Sequence, residues 1–222
     1  MLIVECSPLI TPPHILSRLA DASRSKLACW VNYSIGRENF EEYLQITNGR
    51  VVKVERLQEQ NLLCQVDDMG RLNSVCSSLA ERMKWNSRSS GSGELPALML
   101  SKRKFEQVMS HSDDLGMEEI MAELLGSNDD KAGVVALARC LKMKRCQGNI
   151  TFYNAKKNKW EGQSAQFIND HYMSWLIRSS TKDDEDWLIA TPMPKEKFQD
   201  MMMTWFRQSQ RSEALPSGQS VS

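Results

Sequence analysis

The sequence predicts an α+β protein: an N-terminal β-meander with helices, then a C-terminal helix-rich unit with two strand-stop-helix repeats. Three observations predict it. From Asp186 to Arg207 an apolar run (Trp187, Leu188, Ile189, Ala190) passes through Thr191-Pro192-Met193-Pro194 into a helical run ending at Met203, Trp205 and Phe206. Leu95 to Met109 repeats that plan, so that Lys102, Lys104, Phe105 and Met109 superpose on Lys195, Lys197, Phe198 and Met202. Between Leu27 and Val66, short runs rich in β-formers alternate with turn residues, the signature of a meander.

Taken in order, Leu2 to Val4 predicts a short strand, and Thr11 followed by Pro12 predicts a helix start, with proline at the first helical position. Leu27 to Ile35 is dense in β-formers with imperfect alternation, as in a strand covered on both sides. Phe40 to Ile46 fits either a helix or a strand. Asn48-Gly49 is a strong hairpin signal because both turn positions take positive φ. Val52 and Val54 continue it, and Leu62, Cys64 and Val66 alternate as a further strand.

Leu72, Val75, Cys76, Leu79 and Met83 recur at helical spacing and predict an amphipathic helix. Ser87 to Gly93 is too small and polar to pack, which sets a flexible linker or exposed loop at 87–94 between units 1–86 and 95–208. In the second unit, helices are expected over Met117 to Leu125 and Asp130 to about Arg145, and a strand over Asn149 to Tyr153. A longer helix is expected around Phe167, Ile168, Tyr172, Trp175 and Leu176. The tail 209–222 is small and polar and reads as disordered.

Composition narrows the function. The chain has 222 residues, 41% of them hydrophobic and 25% charged, as in an ordinary globular protein. Its 28 basic and 28 acidic residues cancel, so no global field draws in nucleic acid or an anionic membrane. No apolar run approaches the roughly 18 residues of a membrane helix, and the N-terminus lacks the pattern of a signal peptide. The expected location is intracellular and cytoplasmic. Six cysteines stand singly, without a C-x-x-C or a neighbouring histidine pair, and suggest buried thiols in place of zinc ligands or disulfides.

No catalytic, cofactor-binding or metal-binding motif is present: there is no phosphate-binding glycine loop, no G-x-S-x-G, no H-E-x-x-H and no calcium loop. The histidines His14, His111 and His171 lie far apart. The chain is therefore read as a non-enzyme without a cofactor.

The feature that rises above background is a polarised second unit. Asp113, Asp114, Glu118, Glu119, Glu123, Asp129 and Asp130 form an acidic stretch without a base. Arg139, Lys142, Lys144, Arg145, Lys156, Lys157 and Lys159 form a basic stretch without an acid, interleaved with Phe152 and Tyr153 and followed by Trp160. Bases interleaved with aromatics suit a single-stranded nucleic acid; solvated helix faces, or a charged protein interface, account for the same pattern. Thirteen methionines, with Met201, Met202 and Met203 in a row, suit either core filling or an adaptable binding surface. Helical spacing groups Phe198, Met202 and Trp205 as a core face and leaves Met203 and Phe206 as a candidate protein interface.

The sequence thus predicts a non-enzymatic intracellular binding or regulatory protein that acts through a protein partner or self-association, without a membrane. The alternative is a nucleic-acid-binding protein using segment 139–160, with Arg139, Lys142, Lys144, Arg145, Lys156, Lys157, Lys159 and Trp160 as contacts.

Overall fold

The computed structural model describes residues 25–47, 49–56, 64–87, 95–125, 130–156, 159–182 and 185–211. The strand expected at Leu2–Val4, the helix expected after Thr11, the span 88–94 and residues 212–222 lie outside them, as does Leu62.

An α+β fold with one antiparallel sheet results. The strands are β1 (Leu27–Ile35), β2 (Glu38–Thr47), β3 (Arg50–Arg56), β4 (Cys64–Arg71), β5 (Leu98–Ser101), β6 (Cys146–Lys156), β7 (Lys159–Asn169), β8 (Ser174–Lys182) and β9 (Glu185–Pro192). The helices are α1 (Leu72–Arg82), α2 (Lys102–His111), α3 (Met117–Leu125), α4 (Lys131–Lys142) and α5 (Lys195–Arg211). Across the sheet the order is β4-β3-β2-β1-β6-β7-β8-β9-β5.

The ambiguous stretch Phe40 to Ile46 is strand, because Leu44 and Ile46 pair with the core positions Cys29 and Leu27 of β1. The turn between β2 and β3 uses Gly49 at φ +74°, a left-handed conformation that glycine adopts without penalty.

Among the described residues of 95–208, helix and strand are about equal, with five strands beside four helices. Where a long helix was expected around Phe167 to Leu176, the chain forms β7 and β8, paired at Phe167↔Leu176 and Ile168↔Trp175. The reason is burial on both faces. Phe167 and Leu176 enter a core beneath α1 and α5, whereas Ile168 and Trp175 enter a second core beneath α2, α3 and α4. A strand covered on both sides loses the polar alternation that would identify it.

The segments before and after 87–94 share this sheet, because β1 pairs along its whole length with β6, from Leu27↔Asn154 through Val31↔Ile150 to Ile35↔Cys146. Gly148 is required in that ladder: a Cβ there would lie 2.2 Å from the Asn32 carbonyl oxygen. Four antiparallel strands followed by a helix occur twice, from Leu27 to Arg82 and from Cys146 to Arg211, about an approximate two-fold axis near Val31 and Ile150.

The shorter likeness seen in sequence is also present, since β5–α2 and β9–α5 are both strand-then-helix units and their strands pair at Leu98↔Ala190. Their helices nevertheless cover opposite faces, with Phe105 in one core and Phe198 in the other. Residues 209–211, expected in the tail, continue the backbone of α5.

Candidate functional site

Helix α5 seats on the sheet through Phe198, Met202 and Phe206, which are 0%, 0% and 4% exposed. These are i, i+4 and i+8. Each step of four residues turns about 400° around a helix, so the row drifts about 40° per step and lies oblique to the helix axis. The drift carries Phe206 into the core, where it meets the Phe152 ring with centroids 5.2 Å apart. Phe206 is therefore not an interface residue, contrary to the sequence reading. Met203 is half-buried and packs against the same core.

The same drift turns Met201 and Trp205 to the flank. Trp205, expected in the core, is half-buried: its ring meets Phe152 edge-on at 3.5 Å between centroids, and its Nε1 donates to Gln163 Oε1 at 3.0 Å. Beside it, β7, β8 and β9 run on beyond the cover of α5. A groove of about 620 Å³ opens there, with Met201 and Trp205 on its wall and Leu176, Arg178 and Ile189 on its floor. Leu176 is buried, Ile189 half-buried and Arg178 exposed. Trp187 and Met99, also half-buried, extend the apolar strip across the sheet through the pairings Met99↔Ile189 and Ser101↔Trp187.

Such a groove offers an aromatic ring, a thioether, an aliphatic patch and a guanidinium, side chains that dominate protein–protein contacts. It offers no acid–base pair. The sequence pointed to this helix through its methionines but not to Trp205 or Arg178. Arg178 carries no sequence signal, because the apolar pair Trp175–Leu176 just before it serves both cores and mimics a helix.

The predicted basic block divides. Arg139 Nε donates to Asp170 Oδ2 at 3.2 Å, and its guanidinium lies 4.8 Å from the centroid of the Tyr172 ring. Asp170 is 1% exposed and also accepts from the backbone N–H groups of Tyr172 and Met173, so Arg139 neutralises a buried carboxylate. Lys142 Nζ donates to the carbonyls of Ser112, Asp113 and Leu115 at 3.3, 2.9 and 2.7 Å, satisfying acceptors at the end of α2.

Lys144 bonds Ser112 Oγ and Asp113 Oδ1 at 2.8 and 2.9 Å. The hydrogen bond and charge of Lys144 hold the Asp113 carboxyl below its ordinary range. The Arg145 N–H donates to the Asn169 carbonyl at 2.7 Å. Acidic and basic stretches thus meet within the chain. Lys156, Lys159 and Trp160 lie on the β6–β7 hairpin, where the backbone pairs Lys156↔Lys159 and Ala155↔Trp160, apart from the α4 cations. Lys157 lies outside the described residues.

His111 Nδ1 lies 2.9 Å from Ser110 Oγ and 3.0 Å from the Gln107 carbonyl on an exposed helix end. Among the described residues no three His, Cys, Asp or Glu side chains gather to hold a metal. No helix among them is long and apolar enough to cross a membrane.

No family model matches the chain, and no curated protein sequence matches it. Among solved structures, the chain is similar to one in the structure of the Mycobacterium tuberculosis type VII secretion system chaperone EspG5 in complex with the PE25–PPE41 dimer. The TM-score is 0.62 at 12% identity, and the match covers 94% of this chain and 80% of that one. The likeness is one of fold.

Proposed function

We propose that this protein is a non-enzymatic, chaperone-like binding protein that holds a protein partner in the groove beside α5. The observation that carries the reading is the apolar groove itself, with Met201, Trp205 and Ile189 half-buried around it and Arg178 exposed at its floor. A partner segment with an apolar side chain for the Trp205 flank and a carboxylate for Arg178 would bury the first and pair the second. The fold it shares with a secretion chaperone solved together with a protein dimer supports the same reading. Four free, buried cysteines among the described residues fit a protein of the reducing cell interior.

The test places a photo-crosslinking residue at Ile189, or at exposed Glu118 on α3, in the native cell. One defined polypeptide should be trapped from position 189 and not from 118, and the Arg178→Glu change should abolish it without altering the melting temperature. Equal adducts from both positions, or none from 189, would overturn the reading.

A further inference from the structure

On the other face of the sheet, α2 stops short of β1 and β6 and leaves a second concavity of about 740 Å³. Its floor is made by alternate residues that point away from the α1–α5 core, so Trp30, Asn32 and Ser34 of β1 stand beside Gln147 and Asn149 of β6. Helix α2 supplies the rim with Glu106, Met109 and Ser110. That volume falls within the range of pockets that hold ligands.

The lining has two chemical properties. First, it is rich in side-chain amides, some of whose capacity is unspent. Asn32 Oδ1 accepts from both the N–H and the Nδ2 of Asn149, at 3.1 and 3.2 Å, which leaves Asn32 Nδ2 as a donor. Gln147 Oε1 is buried without a hydrogen-bond partner, and Gln166 is exposed at the margin. An amide matches a peptide group, donor for acceptor and acceptor for donor.

Second, the charged groups among the lining residues are both carboxylates, Glu41 and Glu106. Glu41 accepts from the Trp30 indole at 2.7 Å, so an anion and an aromatic ring are held side by side. That pairing suits an arginine or lysine, whose charge meets the carboxylate while its stem and cation lie on the ring. Phosphate would be repelled.

We infer that this cleft binds an extended basic peptide segment, with an arginine or lysine at Trp30 and Glu41, a second cation within reach of Glu106, and its main chain on the asparagine and glutamine amides. The inference stands apart from the groove beside α5, on the opposite face of the sheet.

Fluorescence polarisation with a labelled octapeptide of alternating arginine and serine tests it, using the full chain. The peptide should bind saturably, and the same peptide with glutamate for arginine should not. The double change Glu41→Gln and Glu106→Gln should weaken binding about tenfold or more with the melting temperature unchanged, because the amide oxygen of a glutamine at position 41 still accepts from the Trp30 indole. Side-chain amide NMR signals of Asn32, Asn149 and Gln166 should shift on binding, and Arg178→Glu on the other face should leave the affinity alone. Absence of binding, indifference to the two glutamate changes, or full displacement by spermidine at equal charge concentration would overturn it, the last by showing a site for free polyamine.

Discussion

The Trp85 and Phe198 rings stack with centroids 3.6 Å apart and planes 11° from parallel. Trp85 follows α1 of the first strand-and-helix repeat, and Phe198 opens α5 of the second. The Trp85 indole also donates to the Met193 carbonyl at 2.7 Å, and Asn86 Nδ2 donates to the Asp170 carbonyl at 2.9 Å. Phe198→Ala should therefore cost about 3 to 5 kcal/mol. Urea unfolding followed by circular dichroism and by tryptophan fluorescence should stay coincident, as one cooperative unit requires.

The oblique seating of α5 separates Phe206 from Met203. Phe206→Ser removes a ring from the core and should cost on the order of 4 kcal/mol, whereas Met203→Ser should cost about 1 kcal/mol, near the centre of ordinary point changes. Thermal melts of the two single variants decide it, and the reverse order would show that the helix is rotated about its axis.

Glu42 is 6% exposed, and Arg82 holds it with two hydrogen bonds of 3.0 and 2.8 Å, while Tyr33 donates its hydroxyl at 3.3 Å. Arg82→Ala strands a buried carboxylate and should cost about 3 to 5 kcal/mol. Replacing both partners, Glu42→Leu with Arg82→Leu, should cost less than the single change, because no charge is left behind. Urea midpoints of the single and double variants check the order.

Burial raises the thiol pKa of Cys29, Cys76, Cys140 and Cys146 above the ordinary value of 9.0, to about 12 for Cys76 and Cys146. Above pH 9 the unfolded chain releases these protons while the folded chain keeps them, so the unfolded state is favoured as pH rises toward 12. The contribution of the thiols is whole below pH 9 and declines above it. Urea midpoints from pH 8 to 10.5 should fall, and Cys76→Ala should flatten the fall.

Legibility in the sequence followed the number of faces an element buries. The α1 stripe Leu72, Val75, Cys76 and Leu79 has one buried face and was legible from spacing, and those four residues are buried. Phe167–Ile168 and Trp175–Leu176 serve two cores at once, so each pair is doubly apolar and mimics a helix. The larger repeat was hidden for a related reason. Its two copies keep the order of elements while their side chains differ, as Glu42 beneath α1 and Ala165 beneath α5 illustrate.

The candidate groove was half legible. The methionines of α5 announced an unusual helix, but which of them turns outward depends on the angle at which the helix crosses the sheet, and spacing along one helix does not encode that angle. Charge in a sequence has no address: Lys142 and Lys144 find acceptors some thirty residues upstream.

The pairing of β1 with β6 has a consequence for synthesis. Residues that face one another in the middle of the sheet are separated by 119 positions, from Val31 to Ile150. Contacts of such long range form late, after the entropy of closing a large loop has been met. Until β6 emerges, the meander β1 to β4 presents β1 as an open edge, with Leu27, Cys29, Val31 and Tyr33 along one side. An uncovered apolar edge of this kind invites pairing with another nascent chain. A strand paired on both sides in the finished molecule is thus an open edge during its making, and the yield of soluble protein should depend on how quickly the second repeat follows the first.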